Sequence, residues 1–167
     1  ITPVKSGDAR KLFEYALWLN IKLKREEYID FVRGITPIIA ELFEIILNKR
    51  GKVDVNKYCK KDNNNVRQWD EELIKNKLPN SDKSIKEIIE EGFRAKKGIT
   101  VGNDNGKEYK WNFVKSAEFV YLIEYIIKDE ILSELVKDLR SVEEKVRNIA
   151  AHDIIALDAN DIKNRTD

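Results

Sequence analysis

The sequence predicts an all-α fold, a helical bundle with a peripheral helical/hairpin insert. Three observations predict it. Apolar residues recur at i,i+3 and i,i+4 through the first fifty residues and again after residue 112, the period of helices with one buried face. Two Ser-x-x-Glu spacings, Ser84/Glu87 and Ser141/Glu144, have the form of capping boxes. Between the helical stretches, residues 52–83 lose the helical period and a glycine-rich run follows near 102–106, which sets the irregular insert at about 52–111.

The elements follow in order. Leu12, Phe13, Ala16, Leu17, Trp18 and Leu19 mark a first helix reaching Leu23. Tyr28, Ile29 and Val32 belong to a second, which Gly34 is expected to break; Thr36-Pro37 then reads as an N-cap and first helical position of a third. In that third helix Ile38, Ile39, Leu42, Phe43, Ile46 and Leu47 repeat up to a stop at Gly51. Lys60-Lys61-Asp62-Asn63-Asn64-Asn65 is turn-forming, Trp69 to Lys77 reads as a short helix, and Pro79-Asn80-Ser81-Asp82 breaks it. Ser84 and Glu87 open a helix to about Lys97.

Ile99-Thr100-Val101, Gly102 to Gly106 and Tyr109-Lys110-Trp111 read as a small hairpin. Its Tyr109, Trp111, Lys107 and Lys110 have the chemistry to stack bases and touch phosphates, but aromatics of a hairpin packing on helices are the commoner case. Asn112 is placed as the cap of the next helix, through Phe113, Ala117, Val120, Tyr121 and Tyr125. Ile131, Leu132, Leu135, Val136 and Leu139 continue the pattern, and Ser141 is expected to open the last helix. The acidic residues Glu143/Glu144, Asp129/Glu130 and Asp70/Glu71/Glu72 are explained by helix starts and need no catalytic role. Lys22-Lys24-Arg25 and Arg94-Lys96-Lys97 read as solvated helix ends.

The chain of 167 residues is read as a single domain, 1–167, large enough to bury a core. Charged residues make up 37%, yet 31 basic and 30 acidic side chains nearly cancel to a net charge of +1. That balance excludes binding of nucleic acid by overall charge, so an RNA site has to be local. The lone Cys59 excludes an intrachain disulfide, suits a reducing cytoplasm and gives no zinc site with one distant histidine. No apolar run reaches membrane-spanning length and no signal peptide is read, so no membrane partner is expected; no metal or cofactor is expected either. Because the chain starts at Ile1 and has no methionine, it is read as a fragment of a longer protein.

The chemistry concentrates at the only histidine. Arg147-Asn148-Ile149-Ala150-Ala151-His152 puts an anion-binding arginine, an amide and a group that moves protons near neutral pH within six residues. On a helix turning about 100° per residue, Val142, Val146, Ile149 and Ala150 form the expected core stripe. Arg147, Ala151, Asn148 and His152 take the opposite arc in that order. Asn148 and His152 are i,i+4 neighbours, whereas Arg147 and His152 diverge by roughly 140°. A helix end or a second chain is then needed to bring them together. Asp153 falls back on the apolar side, so the helix is expected to fray or bend around His152. The spacing of an arginine and a histidine alone fits a solvated polar face; Asn148 and the small residues before His152 are what set this segment apart.

The pattern R-N-x-x-A-H at 147–152 resembles the catalytic signature of HEPN ribonucleases. With Asp153-Ile154-Ile155 and the segment from Ile21 to Tyr28, it is similar more narrowly to the CARF–HEPN ribonucleases of type III-A CRISPR systems. The resemblance is strongest over 10–50 and 112–155 and implies a HEPN-like bundle. It also implies a metal-independent endoribonuclease for single-stranded RNA, with two protomers forming one composite site and 2′-hydroxyl attack leaving a 2′,3′-cyclic phosphate. Such cleavage uses a base and an acid, which a two-fold homodimer supplies as two copies of His152; Arg147 would bind phosphate and Asn148 would orient His152 or the phosphate. In that family a cyclic oligoadenylate acts through a CARF domain, which these residues do not contain. Two other readings are a non-catalytic HEPN dimerisation or scaffold module and a HEPN toxin of a toxin–antitoxin pair. RNA cleavage in EDTA separates the first, and an adjacent antitoxin gene identifies the second.

Overall fold

A computed structural model describes residues 7–97, 109, 111 and 113–152, with only the backbone at 147–152. Among the described residues the chain forms five α-helices and one two-stranded sheet. The helices are α1 (Gly7–Lys24), α2 (Tyr28–Lys49), α3 (Ile85–Lys97), α4 (Ser116–Ile127) and α5 (Glu130–His152); the strands are β1 (Cys59–Lys61) and β2 (Arg67–Trp69). Contacts divide the chain into two compact units, Ile1–Ile45 with Glu134–Asp167, and Ile46–Ser133.

In the first unit α1 ends in a turn with Glu26 at φ 60°, closed by Glu27 N–H donating 2.9 Å to the Lys22 carbonyl. Lys22 is no solvated helix end: its side chain is mostly buried and pairs with Glu27 and, at 3.1 Å, with Asp30. α2 runs unbroken through Gly34 and Pro37, against the expected break and restart. Proline removes one helical hydrogen bond, to the carbonyl four residues back. Buried Val32, Ile35, Ile39 and Phe43 keep one phase across it, and that continuous apolar face outweighs the lost bond. Gly34 serves contact instead of termination: a Cβ there would stand 2.4 Å from Leu19 Cδ2 and 2.9 Å from Trp18 Cζ3.

The second unit carries most of the insert. The end of α2 falls where expected, but the left-handed residue is Lys52, at φ 56°, with Val53 N–H reaching the Leu47 carbonyl at 3.0 Å. Gly51 is needed because a Cβ would lie 2.8 Å from that same carbonyl oxygen. β1 and β2 pair antiparallel with Cys59 opposite Trp69. Their turn is held by Asp62 Oδ1, which accepts from the N–H of Asn64 at 2.9 Å and of Val66 at 2.7 Å. The helix expected from Trp69 to Lys77 is reduced to a single 3-10 turn, Leu73–Lys75, because Trp69 belongs to the strand and is buried.

The capping box that opens α3 forms as read: Ser84 N–H donates 2.7 Å to Glu87 Oε2, and Glu87 N–H donates 3.2 Å to Ser84 Oγ. α3 packs on α4, with Gly92 so close to Tyr121 that a Cβ would come within 2.4 Å of its ring. α4 starts at Ser116 with Lys115 as cap, beyond the expected Asn112, which lies outside the described residues; Phe113 precedes the helix. Burial of Val53, Val55, Trp69, Ile74, Ile85, Ile88, Ile89, Phe119, Leu122 and Ile123 gives this unit its core. The expected hairpin at 99–111 lies outside the described residues except for Tyr109 and Trp111.

Candidate active site

The motif segment is the end of α5, a helix of 23 residues. Its start is set well upstream of Ser141, the expected opening. Lys128 takes φ 52° and ends α4, and Asp129 then caps α5, its Oδ1 accepting the Leu132 N–H at 3.1 Å. Arg50 Nη2 donates 3.0 Å to the other carboxylate oxygen of Asp129. The Leu132 N–H, and then Arg50, hold the Asp129 carboxyl below its ordinary range. Ser141 is exposed within the helix, and its Ser-x-x-Glu spacing caps nothing. The apolar phase from Leu132 through Val136 and Leu139 to Val146 is unbroken, so no new start intervenes.

That phase also corrects the expected core stripe. Val136 and Val146 are buried, but Val142 is only half-buried, and the position fully buried between them is Glu143. Glu143 is therefore not a helix-start carboxylate answered by the dipole. Arg140, with a side chain 12% exposed, brings Nη1 to 2.9 Å from Glu143 Oε2 and Nη2 to 3.0 Å from Glu144 Oε1. The first contact is one of charge: its N–H direction misses the oxygen, and neither Nη1 nor Nε makes a hydrogen bond. The helix-start reading of the sequence missed the burial of this acid. The available signal was two arginines, at i−3 and i+4, around a glutamate in the apolar phase.

Arg147, Asn148 and His152 all lie on the last turns of α5. Taken at about 100° per residue, position 147 stands roughly 40° round from Glu143, on the edge shared with Arg140. Positions 148 and 152 stand about 140° and 180° round, on the far side. The helix brings Asn148 and His152 one turn apart and leaves Arg147 on a different arc. Asp153 and the Asp153-Ile154-Ile155 segment lie outside the described residues.

The remaining candidates resolve structurally. Tyr109 packs edge-on against Phe93 at 5.1 Å and Trp111 at 4.8 Å, and its hydroxyl donates to Glu118. It is thus engaged in packing, the commoner of the two readings, while Lys107 and Lys110 lie outside the described residues. Cys59 is half-buried with its Sγ 3.3 Å from the Val55 carbonyl oxygen. Among the described residues no group of three or more His, Cys, Asp or Glu is arranged to hold a metal ion, and no helix is long and apolar enough to cross a membrane.

Among the described residues the chain is mostly helical, and the R-N-x-x-A-H segment lies on α5, the longest of the five helices described. The model of one family, described as Cas_Csm6 HEPN domain, matches residues 1–167. The chain belongs to that family. This bears out the resemblance read from 147–152 and from Ile21 to Tyr28, and the five-helix architecture bears out the all-α fold. The family is one of CRISPR-associated ribonucleases, with RNA as substrate and CARF domains as companions. No curated protein matches the chain.

Proposed function

We propose that this domain is a metal-independent endoribonuclease that cuts single-stranded RNA in CRISPR antiviral defence, at a composite site built from two protomers. The observation that carries the reading is the presence of Arg147, Asn148 and His152 on the last turns of one helix, in a chain of the Cas_Csm6 HEPN family. Arg147 binds the scissile phosphate and stabilises its developing charge. One copy of His152, neutral, takes the proton of the RNA 2′-hydroxyl as its oxygen bonds to phosphorus. The other copy, protonated, gives its proton to the 5′-oxygen as the P–O5′ bond breaks. The products are a 2′,3′-cyclic phosphate and a 5′-hydroxyl. Asn148, one turn before His152, orients the imidazole or the phosphate.

The homodimer follows from the chemistry: the chain has one histidine, and the reaction has two simultaneous proton transfers. The divergence of positions 147 and 152 around α5 supports it. Activation by a cyclic oligoadenylate belongs to a CARF domain outside residues 1–167, and the place of action is the cytoplasm. The test is cleavage of a single-stranded RNA in EDTA. His152→Ala is expected to lower the rate by about 10²–10⁴-fold or more, and Arg147→Ala strongly. Cleavage that survives His152→Ala, or that requires Mg²⁺, would sink the proposal.

A further inference from the structure

Lys11, Tyr15, Trp18 and Lys22 follow one another at i, i+4, i+7 and i+11 along α1, so they share one edge of that helix. The edge faces α2, in the unit to which the motif residues also belong. Lys11 Nζ meets Glu41 Oε1 at 2.8 Å, Trp18 closes on Gly34, and Lys22 reaches Asp30 at 3.1 Å. The Tyr15 and Trp18 rings lie 5.3 Å apart, tilted by 41°, and Lys22 Nζ stands 5.4 Å from the Trp18 ring. Trp18 and Lys22 thus back Tyr15 from one side. Toward Lys11 opens a cavity of about 230 Å³, walled by Leu12, Tyr15, Pro37 and Ile38, with the more exposed Lys11 and Glu41 at its rim. Among the described residues the Lys11 and Glu41 side chains bond only to each other. Lys11 therefore keeps two of its three N–H donors, and Glu41 keeps one whole carboxylate oxygen.

We propose that this cavity takes one unstacked base of single-stranded RNA, guanine in preference to the other three, at a selecting site built from residues outside the motif. This rests on the reading that single-stranded RNA is the substrate. A base has two flat apolar faces and a polar edge, and the cavity has apolar walls and a polar rim. The Tyr15 ring offers a face for stacking, which is how proteins hold splayed-out RNA bases. At the rim a carboxylate and an ammonium stand side by side. Guanine alone presents two adjacent N–H donors, N1–H and N2–H, next to an acceptor, O6. Glu41 accepts the two donors and Lys11 donates to O6. An aliphatic side chain of a protein partner would fill the walls and leave that rim unused. With a net charge of +1, affinity cannot come from overall charge, so a local stacking site has work to do.

The experiment measures RNA affinity in the full-length protein carrying His152→Ala, so that the RNA stays intact. Three oligoribonucleotides are compared: all uridine, the same with one central guanosine, and the same with one central adenosine. The guanosine is expected to tighten binding over uridine by about 5- to 100-fold, the range of one bidentate base contact, and the adenosine by less. Glu41→Gln should erase that preference, because an amide offers a single acceptor. It removes only a surface ion pair, so the fold is kept. Tyr15→Leu should weaken all three RNAs through lost stacking. A guanosine RNA bound no more tightly than the adenosine RNA overturns the proposal, and so does a preference that survives Glu41→Gln. Parental RNA affinity in Tyr15→Leu overturns it too; a smaller sedimenting mass in that variant would then assign the cavity to a second copy of the chain. Failure of the ribonuclease reading is separate, because it shows as cleavage surviving His152→Ala.

Discussion

Among the described residues two glutamates, Glu118 and Glu143, are fully buried, and their partners differ in kind. Glu118 in the second unit stands in the first turn of α4 and accepts from three donors: the Lys115 N–H at 2.7 Å, Trp69 Nε1 at 2.8 Å and the Tyr109 hydroxyl. Glu143 on α5 sits in mid-helix and is answered by a guanidinium. The first is a structural hub, joining strand β2, the start of α4 and residue 109. The second stands one turn from the motif. What separates them is the kind of partner: neutral N–H and O–H donors hold Glu118, whereas the charge of a mostly buried guanidinium balances Glu143.

The largest effect expected from this difference is that of Glu118→Ala. It strands the indole N–H of fully buried Trp69 and the Tyr109 hydroxyl, and removes the cap contact of α4, so a loss of roughly 3–4 kcal/mol is expected in urea unfolding. Cleavage per folded molecule should be unchanged, since Glu118 belongs to no part of the proposed site. A fall in that specific activity would break the division between hub and site. Trp69→Phe sharpens the same point with a smaller change. It keeps an aromatic ring for the edge-on contact with Phe119 at 6.4 Å and removes only one donor to Glu118. An expected loss of about 1–2 kcal/mol follows from one charge-assisted hydrogen bond and a smaller ring. A loss as large as that of Glu118→Ala would show that the indole, and not the carboxylate, is the hub.

Local signals in the sequence were reliable where a single turn decides the outcome. Ser84 and Glu87 form the expected box because both partners sit inside the turn they cap. The R-N-x-x-A-H segment is contiguous too, and the family it resembles is the one whose model matches the chain. Errors arose where a local signal met a continuous apolar phase. Gly34 with Thr36-Pro37, and Ser141 with Glu144, both read as helix boundaries, yet α2 and α5 run through them. Val32, Ile35, Ile39 and Phe43 in one helix, and Val136 and Val146 in the other, stay buried in phase across the false stop. Tertiary burial decides such cases. It also hid Glu118, because nothing in a charge pattern distinguishes a solvated acid from one that chain-distant Trp69 will bind.

The smallest effect concerns pH and carries a definite sign. Burial raises the Glu118 carboxyl above its ordinary 4.5, against the opposing hydrogen bonds from Tyr109, Lys115 N–H and Trp69 and the charge of Lys115. The folded state therefore binds this proton more tightly than the unfolded chain does. Glu118 contributes its best stability at and below pH 4.5, and that contribution falls as pH rises toward the folded-state value. Glu118→Gln has no such proton to lose. Thermal unfolding of the two proteins side by side should show the wild type gaining on Glu118→Gln as pH is lowered from 7 toward 4.5, whatever other groups do to both curves. A wild type that instead loses ground on acidification would mean that the three donors outweigh burial. Glu118 would then act as an ion held by its hydrogen bonds, and the contrast with Glu143 would narrow to the identity of the partner.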